Sequence, residues 1–355
     1  MKILQVINNL GSGGAEKLIS DFAPLMKEQG NDVEICLLSQ DKSIYINDLK
    51  NKGIKIHILS QKNDRSFFNI FRLRKLFKNG KYDVIHLHLF PALYYGVFAN
   101  LFLKNKLFYT EHSTHNKRRN YYFFKLIEKF IYPKYEKIIC ISEKTKENLL
   151  RFLDYKTKEK FVIIENGINL EKFYTSQKIP LKNIDSSLEE KDILITMVGR
   201  FSEQKDQITL IKAMKYLPEN YKLLLVGEGD LKKLCEEEVL KLELEKKVIF
   251  LGIRKDIGNI FKTSHIAVLS SKWEGFGLVA IEAMATGLEV IGTNVDGLKE
   301  VINNQENLFN VGDYKKLAEI ILNKINSKSK NIQNLSKYDI KLMTKRYLEV
   351  YKNER

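Results

Sequence analysis

Cysteine, proline and tryptophan are scarce in this 355-residue chain, with three, five and one copies. Cys36, Cys140 and Cys235 are far apart, odd in number and without C-x-x-C spacing. That argues against a disulfide framework or a cysteine-built zinc site, and for a reducing compartment. So few prolines, with glycine at an ordinary level, exclude a proline-rich or low-complexity chain. The most apolar stretch, Ala92 to Leu103, falls short of the roughly 20 residues that cross a bilayer as a helix. The start, Met1-Lys2-Ile3-Leu4-Gln5-Val6-Ile7, meets Asn8-Asn9 too early for a signal-peptide core. No Asp-x-Asp occurs, so the clustered carboxylates that usually hold a divalent ion on a nucleotide diphosphate are missing.

Acidic charge is also short, with 44 Asp+Glu against 59 Lys+Arg and a net charge of +15. Residues 1–170 hold 29 Lys+Arg and 17 Asp+Glu, a net of +12, which leaves +3 for residues 171–355. A one-sided basic surface suits an anionic partner such as a lipid headgroup, a lipid phosphate or a nucleic acid; the plainer reading is a solvated lysine-rich surface. Without any recognisable reader motif, nucleic acid is not an expected partner.

The length predicts two domains of roughly 150–200 residues each. Short β-rich runs alternate with helical stretches, the pattern of a parallel α/β fold. The spacing predicts strands at Lys2–Ile7, Asp32–Leu38, Lys55–Leu59, Tyr82–His88, Leu107–Glu111, Lys137–Ile141 and Phe161–Ile164. It restarts with Ile193–Val198, Lys222–Val226, Val248–Leu251, Ile266–Leu269, Glu289–Ile291 and Leu308–Val311. Asn166-Gly167-Ile168-Asn169 and the polar stretch Thr175 to Asp192 read as the linker. Ser142 is an expected N-cap, with Glu143 in the first turn. Lys337 to Tyr351 reads as an amphipathic helix with Ile340, Met343, Tyr347 and Val350 on one face. Two such domains facing a central cleft would bind ligands beside the carboxyl ends of their strands.

Four motifs fall at strand ends. Gly11-Ser12-Gly13-Gly14, after the first strand, lets backbone approach an anionic ligand at a helix start, or is a tight strand–helix turn. It does not fit G-x-G-x-x-G, and Leu38-Ser39-Gln40 lacks the acid that a dinucleotide site expects. Arg200 and Lys205 bracket a loop feeding a helix, where two cations can stabilise a diphosphate leaving group; a salt bridge from Arg200 to Glu203 is the bland alternative. Glu274-Gly275-Phe276-Gly277, followed by Glu282 about two turns into a helix, offers open amides and two spaced carboxylates suited to sugar or ribose hydroxyls. Glu111-His112-Ser113-Thr114-His115 ends a strand, and His112 could hydrogen-bond a sugar or an oxyanion. His86 and His88 alternate on one strand face without acids to complete a metal shell, so packing or cleft lining is expected. Arg65 to Lys78 and Asn116 to Lys125 mix aromatics with basic residues, as at a membrane interface or on a core-facing helix with a solvated back.

Together these motifs resemble glycosyltransferase family 4, the retaining, metal-independent branch with the GT-B architecture of two Rossmann-like domains. The likeness rests on Gly13-Gly14, Glu111-His112, Ile141-Ser142, Asn166-Gly167-Ile168, Gly199-Arg200 with Lys205, Gly227-Glu228-Gly229, and Glu274 with Glu282. It implies an acceptor-side domain over 1–170, a nucleotide-sugar domain over 171–335, and a final helix over 336–355 crossing back to the first. It implies that Arg200 and Lys205 bind the diphosphate and Glu282 the ribose. Glu274 with Gly275, Phe276 and Gly277 would position the donor sugar, with His112, Gly13 and Gly14 approaching from the first domain. Ile253 and Arg254 would line the base pocket. No cofactor or metal is expected, since the nucleotide-sugar, taken as a UDP-sugar, is a substrate. The acceptor would be lipid-linked or a saccharide, in surface polysaccharide or capsule synthesis, on the cytoplasmic side and peripheral on an anionic membrane. A sugar-nucleotide epimerase or hydrolase, or a non-catalytic binding module, is the alternative. The chain departs from the family pattern at Leu288-Glu289, where Pro is frequent, and at Asp296-Gly297, where Gly-Gly is frequent. An acid at 296 would repel a diphosphate unless it points away.

Overall fold

The computed structural model describes residues 1–11, 13–41, 43–114, 116–154, 159–327 and 334–354. The chain forms two compact units, Met1–Ile168 with Tyr338–Arg355, and Asn169–Lys337.

In the first unit seven strands form one parallel sheet. They are β1 (Lys2–Ile7), β2 (Asp32–Leu37), β3 (Lys55–Ile58), β4 (Val84–His88), β5 (Leu107–Glu111), β6 (Lys137–Cys140) and β7 (Phe161–Ile163), in the order β3-β2-β1-β4-β5-β6-β7. Helices cover both faces, so the central strands are buried apart from Lys2, and their apolar runs are broken by buried Gln5 in β1, His86 and His88 in β4, and Thr110 and Glu111 in β5. One apolar layer joins Leu73 and Phe77 to Tyr94, Tyr95 and Ile131; the other joins Phe22 and Met26 to Met343, Tyr347 and Tyr351. Ser142 caps the helix Glu143–Leu153, its Oγ accepting from the Thr145 amide at 3.2 Å.

The final helix, Ile340–Asn353, packs on the helix Gly14–Glu28, where the rings of Phe22 and Tyr347 stack at 5.4 Å. It is tied to the Asn166-Gly167-Ile168 segment by backbone bonds from Ile168 N to Tyr338 O (2.8 Å) and from Ile340 N to Ile168 O (2.9 Å). A Cβ on Gly167 would lie 2.8 Å from Ile340 Cα, so this glycine permits the close approach.

The second unit holds β8 (Ile193–Val198), β9 (Tyr221–Val226), β10 (Val248–Gly252), β11 (Ile266–Leu269), β12 (Glu289–Thr293) and β13 (Leu308–Phe309), in the order β10-β9-β8-β11-β12-β13. All its pairings are parallel. The segment Thr175 to Asp192, expected as a linker, instead packs on this unit. Ile184 and Leu188 are buried with Leu194, Leu224 and Ile260, and the amides of Gln177 and Ile179 bond to Asn259 and Thr263 side chains at 3.0 Å. Its apolar residues are few but sufficient to anchor a mostly polar stretch.

Candidate active site

Strand order reverses once in each sheet, between β1 and β4 and between β8 and β11. Loops leaving the carboxyl ends of two such strands diverge, and the crevice between them is where open α/β sheets bind ligands. In the second unit the loop after β8 carries Arg200 and Lys205, and the loop after β11 carries Glu274 through Gly277.

These two loops are laced together. Lys205 Nζ forms an ion pair with Glu274 Oε1, and Ser271 Oγ donates to the same oxygen at 2.9 Å. Gln204 Nε2 donates to Trp273 O at 3.0 Å, the Lys272 amide to Gln204 O at 2.8 Å, and Ser270 Oγ to Asp206 O at 2.8 Å. Glu274 is buried, whereas Arg200 at the other end of its loop is exposed. Arg200 passes beside Gly229, where a Cβ would lie 2.9 Å from Arg200 Cγ.

Gly277 adopts φ +82° and caps the helix Leu278–Ala285. A side chain is strained there, and a Cβ would also lie 2.8 Å from Leu298 Cδ2. The Ala280 and Ile281 amides bond back to Gly277 O at 2.9 and 3.4 Å, while the two amides before them, at the positive end of the helix, have no acceptor within it. Phe276 is buried, and Glu282 is buried within the helix. Gly297, at φ +91°, presses on the Glu274 carbonyl from the loop after β12. Its neighbour Asp296 has Lys299 Nζ 2.6 Å from one carboxylate oxygen, so its charge is locally compensated. Ile253 is exposed, and Arg254 is held by Asp256 (2.7 and 2.8 Å) and by the carbonyls of Asn183 and Ile184.

The remaining expected residues belong to the first unit. Gly13 is the extended N-cap of the helix Gly14–Glu28, and both glycines are exposed. His112 follows β5, with its Nε2 3.0 Å from His88 Nδ1. Burial drives the His112 imidazole down to about 4 despite the neighbouring Glu111 carboxylate, and holds His86 and His88 well below the ordinary histidine value. His115 lies outside the described residues. Glu111 anchors the start of the loop: Arg119 pairs with its carboxylate and Tyr132 Oη donates to it at 2.9 Å. Arg118 donates to the buried Glu128 at 2.8 Å. Two basic residues of the Asn116 to Lys125 segment are thus committed inside the fold, while Tyr121, Tyr122 and Phe123 are left exposed.

Sequence reasoning did not single out Ser271, Gln204 or the role of Gly297. The first two could not be told from ordinary loop residues. The glycine at 297 was visible as a family position, but its contact with the Glu274 carbonyl was not. Among the described residues, no group of three or more His, Cys, Asp or Glu is arranged to hold a metal ion. No described helix is long and apolar enough to cross a membrane.

Two parallel α/β units, with a cation–carboxylate pair at the switch point of one, define a GT-B protein. Residues 12–172 match the model of "Glycosyltransferase Family 4", and residues 181–341 that of "Glycosyl transferases group 1". An uncharacterized glycosyltransferase of Methanocaldococcus jannaschii is 31% identical over 83% of this chain and 81% of its own. The chain belongs to glycosyltransferase family 4. It is 32% identical to an Escherichia coli UDP-Gal:alpha-D-GlcNAc-diphosphoundecaprenol alpha-1,3-galactosyltransferase, over 67% of this chain and 64% of that one. Three curated relatives are matched over only 64%, 61% and 47% of their lengths. The fold is shared with Anabaena HepE, solved with UDP and glucose, at a TM-score of 0.85, 21% identity and 99% coverage of both chains.

Proposed function

We propose that this chain is a retaining glycosyltransferase that moves a sugar from a UDP-sugar to a lipid-linked or saccharide acceptor in surface polysaccharide synthesis. The observation that carries this reading is the meeting of Lys205 and Glu274 at the switch point of the second sheet, in a chain of this family. A cation there stabilises the charge that develops on the departing diphosphate, and Arg200 adds a planar fork for phosphate oxygens. Glu274 and the amides of Gly275, Phe276 and Gly277 position the donor sugar. Glu282 accepts the ribose hydroxyls, Ile253 and Arg254 flank the base, and Gly13, Gly14 and His112 serve the sugar or diphosphate from the first unit. The bond from C1 to the diphosphate oxygen breaks while the acceptor oxygen bonds C1 on the same face. The acceptor's proton leaves to a phosphate oxygen, so neither a protein nucleophile nor a metal is assigned a role.

The E. coli relative is named for a diphosphoundecaprenol-linked acceptor, and the first unit suits work at a membrane. Phe67, Phe68 and Phe71 stand at or near the start of one helix, and Tyr121, Tyr122 and Phe123 at the start of another, all between 65% and 75% exposed. Both helices leave the carboxyl edge of the same sheet and pack on the same apolar layer. Aromatics so placed, with exposed Arg65, Lys75 and Lys78 nearby, fit peripheral contact with an anionic bilayer on the cytoplasmic side. Sedimentation with phosphatidylglycerol vesicles is expected, reduced by Phe67→Ser with Tyr122→Ser; equal sedimentation of that variant counts against the contact.

The decisive assay offers UDP-galactose or UDP-glucose with and without a sugar-diphospho-lipid acceptor and reads the anomeric configuration by NMR. Acceptor-dependent transfer with retention is expected. Acceptor-independent release of free sugar or an epimer would move the chain to the hydrolase or epimerase class.

A further inference from the structure

A chain of buried polar side chains runs from the final helix to His112, and its hydrogen-bond directions can be worked out from one end. Gln5 and His88 are fully buried, and Tyr351 is 1% exposed. Gln5 Nε2 lies 3.4 Å from Tyr351 Oη and 3.7 Å from Met26 Sδ. Thioether sulfur only accepts, so the amide NH2 is on that side and Gln5 Oε1 faces His88. His88 Nε2 lies 2.8 Å from that oxygen and must carry a proton to bond it. A neutral imidazole has one N–H, so His88 Nδ1 is a lone pair, and the 3.0 Å contact with His112 is made by a proton on His112 Nε2. The second branch agrees. Tyr351 Oη accepts from Gln5, so its own proton goes to His86 Nδ1, and His86 Nε2–H donates to Thr110 Oγ1 at 2.8 Å.

We propose that Tyr351, Gln5 and His88 are positioning residues that fix His112 as its Nε2–H tautomer, so that its Nδ1 presents a hydrogen-bond acceptor. The ligand atom that His112 can recognise is then an O–H donor, such as a sugar hydroxyl, and not a phosphate oxygen. Burial keeps all three imidazoles neutral, which the one-proton counting needs. This inference rests on the functional reading above only in naming the hydroxyl's owner; the tautomer follows from the network alone.

The first test needs neither ligand nor variant beyond assignment. The six histidines are labelled with 15N in the intact chain, and His112 is assigned by its loss in His112→Gln. At neutral pH His112, His88 and His86 are expected as Nε2–H tautomers. An Nδ1–H tautomer at His112 means the relay runs the other way and overturns the proposal. The second test uses Tyr351→Phe, which removes a hydroxyl and keeps the ring. It takes away one of the two acceptors that hold the Gln5 amide and leaves Met26 Sδ as the other, so the Nδ1–H tautomer of His112 is expected beside the Nε2–H form, and the Kd for UDP-galactose or UDP-glucose is expected to rise about twofold, the factor for two equally populated tautomers, with the Kd for UDP unchanged. Equal affinity for the sugar nucleotide in wild type and variant, or equal weakening toward UDP itself, overturns the positioning role. Should the wild-type chain bind no UDP-sugar while His112 shows the expected tautomer, the functional reading fails and the relay stands.

Discussion

Replacing Gly297 by alanine isolates the geometry on which the donor loop depends. Gly297 sits at φ +91°, and a Cβ there would lie 2.9 Å from the Glu274 carbonyl oxygen and 3.1 Å from the Glu274 and Gly275 carbonyl carbons. Two costs add. An L residue in left-handed backbone loses about 1–2 kcal/mol. Backbone atoms cannot swing aside as a flexible side chain can, so relieving the overlap adds about 1–3 kcal/mol of overpacking. Gly312 supplies the control. It has φ +80° and nothing within 4 Å of its would-be Cβ, so Gly312→Ala bears only the conformational cost. At about 2–4 °C of Tm per kcal/mol for a domain of this size, Gly297→Ala is expected to melt roughly 5 °C below Gly312→Ala by calorimetry. Because the displaced atoms belong to Glu274 and Gly275, it is also expected to weaken UDP-sugar binding at least about tenfold, a loss of about 1.4 kcal/mol. Gly312→Ala should bind like wild type. Equal melting points with intact donor binding in both variants would refute the reasoning.

Other perturbations separate the parts of the molecule. Arg200 is exposed and Glu282 buried, so Arg200→Ala should lower turnover at unchanged Tm, while Glu282→Gln should raise the donor KM; unchanged kinetics in both remove the site assignment. His112 has a folded pKa of about 4 against an ordinary 6.5. The unfolded chain therefore binds the extra proton between those values, and stability falls as pH drops from 6.5 toward 4. His112 alone supplies on the order of 3 kcal/mol over that window, with His86 and His88 acting in the same direction; a Tm that stays flat from pH 7 to pH 5 contradicts this. Gly167→Ala would put a Cβ 2.8–3.0 Å from the backbone of Asp339 and Ile340, and should destabilise the first unit by about 1–3 kcal/mol without changing UDP affinity. Trypsin release of the final helix measures it.

The fold was legible because the strand code is simple. β1, β5, β8 and β11 begin and end where the alternation of apolar runs and turn signals put them. Each stands out as a short, mostly apolar run between polar and glycine-bearing turns, even though β1 includes Gln5 and β5 ends on Thr110 and Glu111. The polar stretch before β8 was misread because four scattered apolar residues, Ile179, Leu181, Ile184 and Leu188, dock it without any periodicity to announce the fact. At the site, Lys205 and Glu274 could be named from their loops, since strand ends at a switch point are privileged positions. Their direct ion pair could not, because nothing local links positions 69 residues apart. The arginines of the Asn116 to Lys125 segment looked like surface charge. Only the fold shows that Glu111 and Glu128 draw them inward, leaving the aromatics exposed. The Tyr351–Gln5–His88 chain spans 346 residues of sequence and has no local signature.

Titration calorimetry of UDP-galactose and UDP-glucose into the wild-type chain and into Lys205→Ala, with melting curves to confirm that both are folded, tests the donor site most directly. Wild-type protein should bind at least one of the two saturably, and Lys205→Ala should lose at least about tenfold in affinity, as expected when a charge-assisted contact to phosphate is removed. Folded wild-type protein that binds neither nucleotide-sugar, or a folded variant that binds as tightly as wild type, would mean that the second unit's switch point is not where the donor sits.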